Sequence, residues 1–176
     1  SHMKDVNLVG VYDMDKARCR QIAEKYKTRP FESLEELQKR VDAISIVTPT
    51  IYHKEVAESC IKSGKHVFIE KPITETVKEA DFLLDLAQKY KTLIQVGHIE
   101  RLNPALMPLA GFDLNPKYIE VQRLAPYMSR GTDVPVVLDL MIHDIDLVLA
   151  FVNSPVRHIH ASGVSIMTDS IDIANA

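Results

Sequence analysis

The chain has 176 residues, 46% of them hydrophobic and 26% charged, with a formal net charge of −3. It is long enough to bury a real core as one domain or one and a fraction. Its mild acidity excludes a nucleic-acid or anionic-membrane surface, and no apolar run approaches the length of a membrane span. Ser1-His2-Met3 reads as a remnant of tag cleavage, so His2 is set aside. Cys19 and Cys60 lack CxxC spacing and are expected as reduced, half-buried helix residues of a cytoplasmic protein.

Residues 6–12 (VNLVGVY) read as a strand that ends at Asp13. Residues 15–26 carry apolar positions at helical spacing, with Asp13 or Asp15 as N-cap. Ser33-Leu34-Glu35-Glu36 predicts a capping box that opens a short helix through Arg40. A second strand over 43–47 is closed by Thr48-Pro49-Thr50. The helix over 52–63 stops at Gly64, where a terminating glycine belongs. Residues 66–69 (HVFI) form a third strand, 77–90 a strongly amphipathic helix, and 93–96 a fourth strand ending at Gly97. Short strands alternating with helices predict an α/β fold, a Rossmann-like doubly wound parallel sheet with right-handed crossovers.

Beyond Gly97 the rhythm changes. A short helix is expected at 105–109, an alternating strand at 118–124, a long apolar helix with interspersed acids at 136–152, and a further strand at 157–166. This order predicts an α+β domain with an open sheet. The expected division is a dinucleotide-binding domain over 4–100 and a substrate and oligomerisation domain over 101–176. Two parts are expected to be missing. A glycine-rich turn should precede Asp13 by some twenty residues, as the dinucleotide fingerprint does, but only Lys4 and Asp5 separate Met3 from the first strand. The open sheet is also expected to be incomplete at Ala176.

The polar residues gather at the strand ends, where open α/β sheets bind their ligands. Proline cannot donate to a ladder, so Pro72 ends the third strand and fixes Lys71 at its carboxyl edge. Asp13 stands where an acid accepts hydrogen bonds from an adenosine ribose and repels a 2′-phosphate, which favours NAD over NADP. Its bland alternative is a helix N-cap. Thr48, Pro49 and Thr50, with His53 a turn later, could hold a phosphate or the nicotinamide ribose; Thr50 could equally be a simple cap. His98, Glu100, Arg101 and Asn103 follow the fourth strand. Arg123, Arg130 and Thr132 suit a polyhydroxylated or anionic substrate.

Asp139 and His143 are four apart on the helix expected at 136–152, so both project from one face. A carboxylate that accepts from one imidazole nitrogen leaves the other as a base. The bland alternative is a buried ion pair or a capped core histidine. No second His or Cys lies at metal-ligand spacing, so no metal is expected.

Glu70-Lys71-Pro72, the Asp139-x-x-x-His143 pair and the Thr48-Pro49 turn together resemble the Gfo/Idh/MocA family of sugar dehydrogenases. The resemblance implies a Rossmann domain followed by an open-sheet domain that contacts substrate and forms a homo-oligomer. It implies that Lys71 hydrogen-bonds the reacting hydroxyl, that His143 takes its proton with Asp139 orienting it, and that hydride passes to the nicotinamide. Glu70 and His98 join the implied cofactor contacts, and Arg101, Asn103 and Arg123 the substrate contacts. The segments 97–104, 123–126 and 139–146 are similar to a narrower group, dehydrogenases acting on the 3-hydroxyl of UDP-N-acetylhexosamines. The expected substrate is therefore a sugar or sugar nucleotide oxidised to a ketone. The alternative is a regulator or sensor that binds dinucleotide without turnover. Such a protein would be expected to lose Lys71 or the Asp139/His143 pair, and all three residues are present.

Overall fold

The computed structural model describes residues 5–126, 134–152 and 154–176. Its packing divides the chain into one unit of Ser1–Ile69 and Thr76–Gln95, and a second of Glu70–Glu75 and Val96–Ala176.

In the first unit, β1 (Gly10–Val11) leads into α1 (Lys16–Lys25) and pairs in parallel with β2 (Arg29–Pro30). Gly10 is required here, because a Cβ would fall on the Phe31 ring and the Arg29 carbonyl. Of the two possible caps, Asp15 starts α1, accepting from the amides of Ala17 at 2.9 Å and Arg18 at 3.0 Å. The short α2 (Leu34–Gln38) then leads to β3 (Ala43–Ile46), α3 (His53–Lys62), β4 (His66–Ile69), α4 (Val77–Tyr90) and β5 (Ile94–Val96). The sheet order is β3-β4-β5, with β3 and β4 parallel and Ile44 opposite Val67, Ile46 opposite Ile69.

These four β-branched residues are buried and share one face of the sheet, because side chains alternate along a strand. The helices answer with matching triplets at i, i+3 and i+4: Ala57, Cys60 and Ile61 on α3, Leu83, Leu86 and Ala87 on α4. α3 packs against β3, β4 and α4. Both cysteines are free and fully buried rather than half-buried, because each small thiol packs as a hydrophobe. Gly64, at φ +74°, supplies the left-handed residue after α3.

Several elements differ from the sequence expectation. The first strand contracts from residues 6–12 to Gly10–Val11, and β2 was not foreseen because Pro30 argues against a strand. At Ser33 only half a capping box forms. Ser33 Oγ accepts from Glu36 N–H at 3.2 Å, but the Glu36 carboxylate reaches one residue further back, to the Glu32 amide at 3.4 Å. The complete box opens α4 instead, with Thr76 and Glu79 bonded in both directions at 3.1 and 3.3 Å.

In the second unit, 3-10 turns at Ile99–Leu102 and Met107–Gly111 replace the helix expected at 105–109. Residues 118–124 adopt no regular structure, since alternation yields a strand only where a neighbour takes up the ladder bonds. The helix expected at 136–152 is a π-helical turn, Val137–Met141, running into α5 (Ile142–Phe151). The strand expected at 157–166 shortens to β6 (Ser162–Val164), antiparallel to β7 (Ile173–Asn175). The connecting loop is organised by Asp172, whose carboxylate accepts from the amides of Ile166 and Met167 at 2.7 Å and of Thr168 at 3.0 Å. Arg130 and Thr132 lie outside the described residues. No helix among the described residues is long and apolar enough to cross a membrane.

Candidate active site

Lys71 follows β4 by two residues and is joined to Pro72 by a cis peptide. Its ammonium donates to the Asp139 carboxylate at 2.8 Å and to the Asp139 carbonyl at 2.7 Å. That carbonyl belongs to the π-helical turn, a departure from α-helical bonding that recurs at functional sites. Lys71 is a fifth exposed at its side chain, so the pair is shielded without being sealed.

The expected Asp139–His143 hydrogen bond gives way to this pair. The physical reason is charge: an ammonium is a stronger partner for a carboxylate than a neutral imidazole. His143 Nδ1 is buried and has no hydrogen-bond partner among the described residues. Burial, with the Lys71 and Arg123 cations nearby, holds this imidazole below the usual histidine pKa. His143 is therefore neutral at physiological pH and able to accept a proton.

Around it runs a network of ion pairs. Arg123 takes both oxygens of Asp144, Nε at 3.0 and 3.1 Å and Nη2 at 2.8 Å, and its Nη1 lies 3.7 Å from Glu100. Arg101 grips Asp146 in the same two-pronged way at 2.7 and 2.6 Å, which holds the Asp146 carboxyl below its usual range. Asn103 Nδ2 donates to Glu100 at 3.0 Å, and its side-chain oxygen Oδ1 accepts from the Ala105 amide at 3.0 Å. Two predicted substrate ligands, Arg101 and Arg123, thus direct their forks at carboxylates of the chain itself. The acids on the apolar helix signalled that cations would be needed if they were buried, but not which cations would answer them. Asp144 and Asp146 are 9% and 8% exposed. His98 Nδ1 sits 3.9 Å from Asp146, beyond hydrogen-bonding reach, and is likewise buried without a partner among the described residues.

In the first unit, Asp13 follows β1, accepts from the Asp15 amide at 2.9 Å and lies 3.8 Å from Arg18. The capping alternative for it passes to Asp15. Thr48 and Pro49 are exposed and Thr50 half-buried in the turn after β3. Neither helical start there carries a side-chain cap, so capping by Thr50 does not explain the threonines. An exposed, hydroxyl-bearing strand end of this kind fits a dinucleotide. His53 does not face outward with them. It is 1% exposed and its Nε2–H donates to the Thr48 carbonyl at 2.8 Å, so it fixes the turn from behind. Glu70 folds back to accept from the Lys71 amide at 3.3 Å. Among the described residues, no group of three or more His, Cys, Asp or Glu side chains is placed to hold a metal ion.

Comparison with known proteins converges on one family. Residues 1–98 match the GFO_IDH_MocA oxidoreductase family, described by its NAD-binding Rossmann fold. UDP-N-acetylglucosamine 3-dehydrogenase of Acidithiobacillus ferrooxidans is 43% identical over 171 residues, 96% of this chain and 54% of that protein. A solved structure of it superposes with a TM-score of 0.89, covering 95% of this chain and 56% of that one. The scyllo-inositol 2-dehydrogenase (NAD(+)) of Bacillus subtilis is 35% identical over 103 residues, 56% of this chain and 30% of its own length. An NAD-binding protein from Listeria innocua, 23% identical with a TM-score of 0.69 over 93% of this chain and 52% of that one, shares the fold. The chain spans about half the length of the first of these relatives. It belongs to the Gfo/Idh/MocA oxidoreductase family and carries that family's NAD-binding Rossmann fold.

Proposed function

We propose that this chain carries the reacting groups of an NAD-dependent dehydrogenase that oxidises a ring hydroxyl of a UDP-N-acetylhexosamine to a ketone. The observation that carries this reading is the Lys71–Asp139 pair at 2.8 Å, with the buried Nδ1 of His143, four residues on, unpartnered among the described residues and its imidazole held below the usual pKa by burial. Bound nicotinamide supplies the hydride acceptor. Lys71, steadied by Asp139, donates a hydrogen bond to the substrate hydroxyl, and His143 takes the hydroxyl proton as the carbon–oxygen double bond forms. Oxidation of the alcohol would release the carbinol hydrogen with its electron pair, for which the bound cofactor would be the acceptor, leaving a ketone and the proton held by His143. The 3-hydroxyl of a UDP-linked sugar is chosen because the relative similar over 96% of this chain is named for that reaction.

Asp13, Thr48, Pro49, Thr50, Glu70 and His98 serve the cofactor, with Asp13 favouring NAD over NADP by accepting from the ribose hydroxyls. The fully buried free thiols of Cys19 and Cys60 suit a cytoplasmic protein. The apolar side chains exposed on β6 and β7, Val164 at 50% and Ile173 at 55%, support homo-oligomer formation through this sheet.

The test is formation of reduced cofactor against a panel of UDP-N-acetylhexosamines, inositols and free aldoses. Turnover confined to the sugar nucleotides is expected. Turnover of inositols or free aldoses alone would move the substrate elsewhere in the family. Cofactor binding with no turnover of any of them would replace the enzyme by a binding protein.

A further inference from the structure

We propose that Arg123 is a positioning residue for His143: its fork holds the Asp144 carboxylate away from the imidazole, so that His143 meets substrate as an unpaired base. This rests on the reading above, in which His143 accepts the substrate proton.

His143 stands among acids. Asp144 follows it directly, Asp146 lies three residues on, and Asp139 and Glu100 stand nearby. A carboxylate within hydrogen-bonding distance of an imidazole favours the charged form and consumes the base. Each of these acids is instead already claimed. Lys71 holds Asp139 at 2.8 Å, Arg101 holds both oxygens of Asp146 at 2.6 and 2.7 Å, and Arg123 holds both oxygens of Asp144 at 2.8 to 3.1 Å. Glu100 is shared between Asn103 at 3.0 Å and Arg123 Nη1 at 3.7 Å.

The outcome is visible at His143 Nδ1, which is buried and unpartnered among the described residues although the Glu100 and Asp144 carboxylates act on the imidazole. The charged groups that act on the imidazole are Lys71 and Arg123, which oppose its protonation, and Glu100 and Asp144, which favour it. Arg123, like Lys71, does two things, and its carboxylate is the one next to His143 in the chain. It adds a cation, and it removes the adjacent carboxylate from competition. A planar fork does this better than an ammonium, because two parallel N–H bonds fix both carboxylate oxygens in one plane.

The experiment is a histidine side-chain NMR titration of the uncomplexed protein, with the His143 signal assigned by its loss in His143→Gln. In Arg123→Gln the released Asp144 should bond the imidazole, raising the His143 midpoint by about one pH unit or more. Adding Asp144→Asn to that variant should bring the midpoint back toward wild type. Should Arg123→Gln fail to fold, Arg123→Lys keeps the charge and gives a smaller rise in the same direction. A midpoint that stays put in the folded Arg123 variant, or that rises equally with and without Asp144, overturns the proposal. Because no substrate is present, that failure leaves the catalytic reading of His143 intact. Unimpaired turnover by His143→Gln would remove that reading without touching the titration.

Discussion

His143 takes the proton in the proposed reaction, and its environment makes a pH prediction. Its imidazole is held below the usual histidine value of about 6.5, first by burial and then by Lys71 and Arg123. The unfolded chain therefore takes up a proton near 6.5 that the folded chain refuses until lower pH. Folding stability should fall as pH drops from about 6.5 toward the folded value, and no contribution from this group should remain to be lost above that window. Urea denaturation of wild type and His143→Gln across this range checks the sign, since the variant should lack the extra acid sensitivity. In turnover, the acidic limb of the kcat/KM profile should lie below 6.5, and His143→Gln should lose about 10²–10⁴-fold in rate. Lys71, Asp139 and His143 were legible in the sequence because a proline stop and a four-residue spacing on a helix are local signals. The partner of Asp139 was not, because local spacing cannot say that a lysine 68 residues earlier will outcompete the imidazole. The roles of Arg101 and Arg123 were hidden for the same reason. The sequence shows a cation but not the buried carboxylate it answers.

At the scale of elements, stability rests on the triplets of α3 and α4 against the sheet. Leu83→Ala removes a fully buried side chain and should cost about 2–5 kcal/mol, read from the shift of the urea midpoint at constant m. Thr76→Ala breaks the reciprocal cap of α4 and should cost about 1 kcal/mol. His53→Ala strips the Thr48 carbonyl of its donor and empties a fully buried site, and should cost about 1–3 kcal/mol. It should also loosen the turn proposed to meet the cofactor, so NAD affinity should fall although His53 itself is buried. The helices and the strands at 43–46, 66–69 and 94–96 could be read from periodicity, since each buries a face that its own spacing defines. What periodicity could not deliver was pairing. Residues 118–124 alternate as a strand should, yet form none, whereas Arg29–Pro30 lacks any strand pattern and pairs with Gly10–Val11. The π-helical turn at Val137–Met141 escaped notice because its side chains suit an ordinary helix equally well.

For the molecule as a whole, membership of an NAD-binding oxidoreductase family agrees with a parallel sheet whose strand ends are polar and with a second unit in which Lys71 pairs with Asp139 and acts on the His143 imidazole. The fold was recoverable from the alternation of strands and helices, and the motif Glu70-Lys71-Pro72 is at once a strand terminator and the proposed source of a reacting group. The central claim is that Lys71 engages the substrate hydroxyl rather than the cofactor alone. It is tested most directly by NADH formation from a UDP-N-acetylhexosamine, comparing wild type with Lys71→Met while NAD binding is followed separately. The account predicts a loss of about 10²–10⁴-fold in turnover with cofactor affinity unchanged within a few-fold. Wild-type turnover by Lys71→Met would contradict it.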